Sequence, residues 1–163
     1  MLHILSFFIF KIFAITARNQ AFYIWMFRCK CNKASIWVKK NGQSFKIRLV
    51  WVEAPENTTT RYWYTQCYWQ ASTDYLAKLL LNKYVWLEYD MLQNWNSYDR
   101  ELAYVIFEWE NISKKIIEEW YWRAYTWDYK YKSEFLETEH EAERLEKWLW
   151  NKNTCNWEHK KWK

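Results

Sequence analysis

The nine residues Arg48-Leu49-Val50-Trp51-Val52-Glu53-Ala54-Pro55-Glu56 run from a basic residue through an apolar stretch to two carboxylates flanking a proline. They continue a segment, Phe45 to Val52, that is rich in β-branched and aromatic residues and so predicts a strand. Ser35 to Lys40 has the same character, and Asn41-Gly42 stands between the two runs. That dipeptide favours a type I′ turn, in which both central residues take positive φ, so the runs are expected to form a hairpin. Phe22 to Cys31 reads as a further strand before it. After Glu56, Asn57 to Thr60 is polar and Thr-rich and reads as an exposed loop.

Beyond that loop the period changes. Ala71, Tyr75 and Leu79, with Ala77, Leu80 and Leu81, supply the apolar side of a helix that closes near Asn82. Tyr84 to Tyr89 and Leu102 to Phe107 return to strand character. Ile112, Ile116 and Ile117 mark a short helix, and Phe135, Thr138, Ala142, Leu145 and Leu149 trace one face of a long helix from about Ser133. The order βββ-α-ββ-α-α, with no internal repeat and no linker, predicts an α+β domain: a five-stranded barrel with three helices packed around it. A chain of 163 residues is long enough for one core of its own.

Composition narrows the partners. Twenty-four Lys and Arg against 19 Asp and Glu give a formal charge of +5, which is compatible with a polyanion. Residues 1–17 are mostly apolar and carry Lys11 as their one full charge. The segment reads as an export signal ending at Ala17, or as an uncleaved anchor that is short for a span of about 20 residues. Cys29, Cys31, Cys67 and Cys155 show no zinc-type spacing; their even number permits disulfides without requiring them, and free thiols are the blander expectation. His3, His140 and His159 are scattered. Glu137, Glu139, Glu141, Glu143 and Glu146 read as the solvated face of the last helix, and Lys152, Lys160, Lys161 and Lys163 as a soluble basic tail.

Arg48 to Glu56 resembles the thermonuclease (staphylococcal-nuclease-like) motif R-L-x-G-[IV]-D-[AT]-P-E, and further matches follow in register. Tyr68-Trp69-Gln70-Ala71-Ser72 resembles Y-G-x-E-A-S, and Leu87 to Asp90 resembles L-E-[FY]-D. Tyr98-Asp99-Arg100-Glu101-Leu102-Ala103-Tyr104-Val105 resembles Y-G-R-x-L-A-Y-V, and Glu137 to Trp150 resembles the family's closing helix. The resemblance implies an OB-fold barrel with three helices over residues 20–151, preceded by the leader or anchor at 1–17 and followed by a basic tail at 152–163.

The resemblance also bears on an abnormal count. The chain has 1 Gly and 15 Trp, where average usage gives about 11 Gly. Trp25, Trp51, Trp69, Trp109, Trp120 and Trp148 all fall on family glycines, whereas Trp150 falls on the family's own tryptophan. With a composition rich in Lys, Asn, Ile, Tyr and Phe, this points to an AT-rich gene in which TGA means glycine and has been rendered as Trp.

What the resemblance implies for chemistry is calcium-dependent phosphodiester hydrolysis of DNA or RNA; with the apolar segment 1–17 the enzyme is expected to be exported, and a monomer with no obligate protein partner is expected. Arg48 and Arg100 are expected to grip the scissile phosphate, using the planar guanidinium fork, and Glu56 to orient or deprotonate the attacking water. Both Arg100 and Glu56 are expected to lie exposed in a groove. Tyr98 and Tyr125 match nucleoside-contacting tyrosines. Glu53 and the Ala54 carbonyl match ligands of Ca2+, a hard cation that takes oxygen donors. The family's D-G-D-T is Asn32-Lys33-Ala34-Ser35 here, so an acidic ligand is replaced by Ala34, with Lys33 beside it. That departure motivates the alternative of a catalytically impaired OB-fold module that binds single-stranded nucleic acid. Asp99 replaces the glycine of Y-G-R and suits a turn with positive φ.

Overall fold

The computed structural model describes residues 20–23, 34–57, 65–90, 99–119, 121–146, 151 and 153–154. The apolar segment 1–17, Asn32, Lys33, Tyr98 and the lysines of the tail lie outside them, as do Trp25, Trp120, Trp148 and Trp150. The described elements are β1 (Gln20–Tyr23), β2 (Ser35–Lys40), β3 (Gln43–Leu49), β4 (Val52–Glu53), α1 (Trp69–Leu80), β5 (Tyr84–Glu88), β6 (Glu101–Phe107), β7 (Glu110–Asn111), α2 (Ile112–Glu118), β8 (Arg123–Ala124) and α3 (Lys132–Arg144).

The expected hairpin forms. Asn41 and Gly42 have φ of 50° and 84°, and the pairing runs from Ser35↔Arg48 to Lys40↔Gln43. Alternation sets its two faces: Ile36 and Val38 of β2 and Ile47 and Leu49 of β3 are buried in the core, which turns Trp37, Lys46 and Arg48 the other way. The larger sheet has the order β3-β2-β1-β5-β6-β7, and a further parallel pairing joins β3 to β6. The strands β4 and β8 form a separate two-stranded sheet.

The domain is therefore α+β with three helices among the described residues, but its strands are more numerous than the five expected. The run Phe45 to Val52 is cut at Val50 and Trp51, because Trp51 stands at φ 61° and cannot continue a pleat. β4, β7 and β8 are two residues each, too short to carry a readable period.

The helices cover the core with narrower stripes than the sequence suggested. In α1 the buried residues are Ser72, Leu76 and Leu80, an i, i+4 row, while Ala71 and Leu81 are exposed. The helix starts at Trp69, two residues before the expected start, behind Tyr68 at φ 66°. In α2, Ile112, Ile116 and Ile117 are fully buried, and Asn111 caps the helix by accepting from the Ser113 amide at 3.0 Å.

In α3 the buried residues are Phe135, Glu139 and Ala142, and Leu145 is exposed. Glu139 thus corrects the solvated reading of the glutamate run. It is buried because Arg123 on β8 donates to it, Nε to Oε1, at 3.2 Å, and a buried carboxylate needs such a partner. Burial still holds its carboxyl above the usual range, against the pull of Arg123. Cys67 is disulfide-bonded, so the free-thiol reading is wrong for it.

Candidate active site

Two paired strands and the chain just before a third bring the basic residues together. Arg48 lies between fully buried Ile47 and Leu49, opposite Ser35 on β2 and opposite Leu102 on β6. Arg100, immediately before β6, donates from Nη1 to Ser35 Oγ at 3.1 Å. Arg48 reaches forward over the Val50-Trp51 turn, and its Nη2 donates to the Val52 carbonyl at 3.2 Å. Both guanidiniums are thus fixed by groups on the segments they join. Arg100 is only 8% exposed, which corrects the expectation that it projects freely into a groove.

Glu56 is fixed from its backbone. Its amide donates to Gln66 Oε1 at 2.6 Å, and the Gln66 amide donates back to its carbonyl at 2.9 Å. Gln66 is itself buried, so it clamps the base of the intervening loop. The Glu56 side chain is half-buried, and its Oε2 is buried with no hydrogen-bond partner among the described residues. It too is less exposed than expected.

Tyr125 completes the group. Its amide donates to the Trp51 carbonyl at 3.0 Å, and its phenol acts electrostatically on the Arg48 side chain. Burial draws Arg48 below the ordinary guanidinium value; Arg100 pushes the same way, and Tyr125 and Glu56 oppose both. Four of the residues singled out from the sequence, Arg48, Arg100, Glu56 and Tyr125, therefore share one electrostatic neighbourhood. Tyr98 lies outside the described residues.

An aromatic wall stands behind the turn. Trp51 stacks on Tyr129 at 5.0 Å between ring centroids, and Trp127 meets Trp51 edge-on at 6.3 Å and lies 5.5 Å from Tyr125. The Trp51 indole donates to Asp90 Oδ2 at 3.1 Å, and the same oxygen accepts from the Tyr104 hydroxyl at 2.8 Å and the Lys130 amide at 3.3 Å. A buried carboxylate with three donors is well satisfied.

The donors expected for calcium are less complete. Glu53 lies across the β4–β8 ladder from Arg123, whose charge is shared with Glu139. Ala34 is 2% exposed at φ 46°, and its carbonyl accepts from the Leu49 amide at 2.8 Å. No group of three His, Cys, Asp or Glu residues capable of holding a metal occurs among the described residues. Calcium takes six to eight oxygens. Glu53 and the Ala54 carbonyl would supply two of that set.

The sequence reading missed Ser35, Gln66 and Trp127. Ser35 had a signal, since it occupies the hydroxyl position of D-G-D-T. Gln66 had none, because its partner lies across a loop.

Known proteins bear on this site. A family model described as staphylococcal nuclease homologue matches residues 46–152. A thermonuclease of Staphylococcus hyicus is 33% identical over 119 residues, covering 72% of this chain and 69% of that protein. A thermonuclease of Staphylococcus intermedius is 32% identical over 120 residues, covering 72% and 70%. An uncharacterised protein of Methanocaldococcus jannaschii is 28% identical over 137 residues, covering 72% and 66%. With more than half of its length matched by one family model, the chain belongs to the staphylococcal nuclease homologue family.

Proposed function

We propose that this chain is a nuclease that hydrolyses phosphodiester bonds in DNA or RNA, acting on single-stranded or locally melted strands. The observation that carries the reading is the meeting of two arginines at Ser35: Arg48 stands opposite it in the β2–β3 ladder, and the buried Arg100 donates to its hydroxyl. Like charges held together out of water are costly unless an anion comes between them, and a phosphodiester supplies that anion in the geometry a guanidinium fork accepts. Membership of the family supports the same substrate class.

In this reading Arg48 and Arg100 hold the phosphoryl oxygens and stabilise the charge that builds on them. Glu56 Oε2, buried with no hydrogen-bond partner among the described residues, takes a proton from water as the water oxygen attacks phosphorus. The bond to the leaving oxygen breaks, and that oxygen takes up a proton to become a hydroxyl. Tyr125, and Tyr98 by the family resemblance, contact the nucleoside. Calcium dependence is proposed with Glu53 and the Ala54 carbonyl as the ligands this chain contributes, and export is proposed from the apolar segment 1–17.

Incubation of the purified chain with single-stranded DNA and with RNA, with calcium and with chelator, tests the reading on a gel. Cleavage that is lost on Glu56→Gln is the expected result. Binding without cleavage under every metal tried overturns it and leaves the single-strand-binding module.

A further inference from the structure

The face of the β2–β3 hairpin that carries Ser35 and Arg48, where Ser35 is buried under Arg100, continues away from the arginine site into exposed residues. The register pairs Ser35 with Arg48, Trp37 with Lys46, and Lys39 with Ser44. These pairs share one face, because the intervening Ile36, Val38, Ile47 and Leu49 are buried on the other. Each step along the strands is two residues, roughly 7 Å, comparable with one nucleotide of an extended strand. Trp37 is 47% exposed, and Lys46 takes part in no ion pair among the described residues.

An exposed tryptophan alone is ordinary surface. Here it stands one step from Arg48 with a lysine directly opposite, and a second lysine stands one step further on. A flat ring between cations at nucleotide spacing is the combination that holds an unpaired strand: bases stack on the ring, and lysines neutralise phosphates.

We propose that the outer face of the β2–β3 hairpin is a track for single-stranded nucleic acid leading away from the cleavage site, with Trp37 stacking a base and Lys46 and Lys39 meeting the phosphates. The proposal rests on the nuclease reading for its ligand class. It goes beyond that reading by assigning substrate contacts to residues outside the reaction centre and by requiring a substrate longer than the bond that is cut.

The test measures binding in the full chain carrying Glu56→Gln, so that the strand stays whole, with a labelled single strand of about 12 nucleotides, within the range one OB fold covers, and with a dinucleotide. Trp37→Ala is expected to weaken binding of the long strand about 5- to 150-fold, the range for loss of one base–aromatic stack, and to lower the ratio of long to short affinity by the same factor. Trp37→Phe should retain most of the binding. Lys46→Gln should reduce the slope of log affinity against log salt by about 0.7, one single-strand phosphate contact. It carries the test by itself if Trp37→Ala fails to fold.

The track is overturned if Trp37→Ala and Lys46→Gln bind the long strand as the Glu56→Gln chain does. Cleavage by the parent chain would then leave the nuclease reading standing. If Trp37 and Lys46 do govern binding but the parent cuts neither DNA nor RNA, the track stands and the hydrolase reading falls. A parent that binds no single strand overturns both.

Discussion

Trp51 and Trp109 share a backbone conformation and little else. Both stand at positive φ, 61° and 70°, where a Cβ costs roughly 1 to 2 kcal/mol. Trp51 closes the turn beside the arginines, is buried, stacks on Tyr129 and donates to Asp90. Trp109 caps the turn between β6 and β7 and is 89% exposed. The same strain is offset by packing at one turn and by nothing comparable at the other. Left-handed backbone is thus tolerated at both turns, and only beside the arginines does the side chain gain contacts that offset it.

The largest effect that would break this contrast is catalytic. Arg100→Ala, at the site end of β6, should lower the cleavage rate about 10²- to 10³-fold, as expected for loss of one preorganised charge donor. Trp109→Ala, beyond the other end of β6, should leave the rate alone. Because Arg100 is buried on Ser35, the loss must be read beside a melting curve. A rate for Arg100→Ala equal to the parent's removes the arginine from the site.

Next in size is Trp51→Gly, expected to destabilise the fold by about 3 kcal/mol: the loss of a large buried side chain outweighs the relief of positive φ. Denaturant unfolding measures it, and a gain in stability would mean that the wall of aromatic contacts contributes little.

Ala34 sharpens the comparison because it too is left-handed, yet it is buried with a side chain too small to gain contacts. Ala34→Asp suits the backbone better but buries a carboxylate, so without metal the variant should lose about 1 to 3 kcal/mol. Calcium should recover that loss, tighten on the variant relative to the parent and raise the rate at limiting calcium. Melting temperature with and without calcium, and calorimetry, check the three parts. No response to calcium would show that Glu53 and an acid at position 34 do not reach one ion.

The smallest effect is at Trp109. Trp109→Gly should stabilise by about 0.5 to 1 kcal/mol, since strain is relieved, no contact is lost, and only the extra freedom of unfolded glycine opposes it. The reading of TGA as glycine has a chemical test: under it, peptide masses from the protein of its source organism are expected to return glycine at 109. Tryptophan there would end that reading. The residue returned at 51 says whether an indole against Asp90 or a bare glycine closes the active-site turn.

Local chemistry made much of this legible in the sequence. The Asn41-Gly42 turn, the strand from Ser35 to Lys40 and the burial of Ile112, Ile116 and Ile117 all follow from neighbours within a few residues, where φ preference and period act directly, whereas Arg48, Glu56 and Arg100 were legible only through their resemblance to the family motifs. Tertiary structure decided the rest. Glu139 is buried because Arg123 arrives from another element, Gln66 clamps Glu56 across a loop, and the core buries the Ser72-Leu76-Leu80 row of α1 in place of Ala71 and Leu81. Arg100 is buried because Ser35, 65 positions away, accepts its hydrogen bond. Short-range preferences are written residue by residue, whereas the partner of a buried charge is chosen only when distant strands pair.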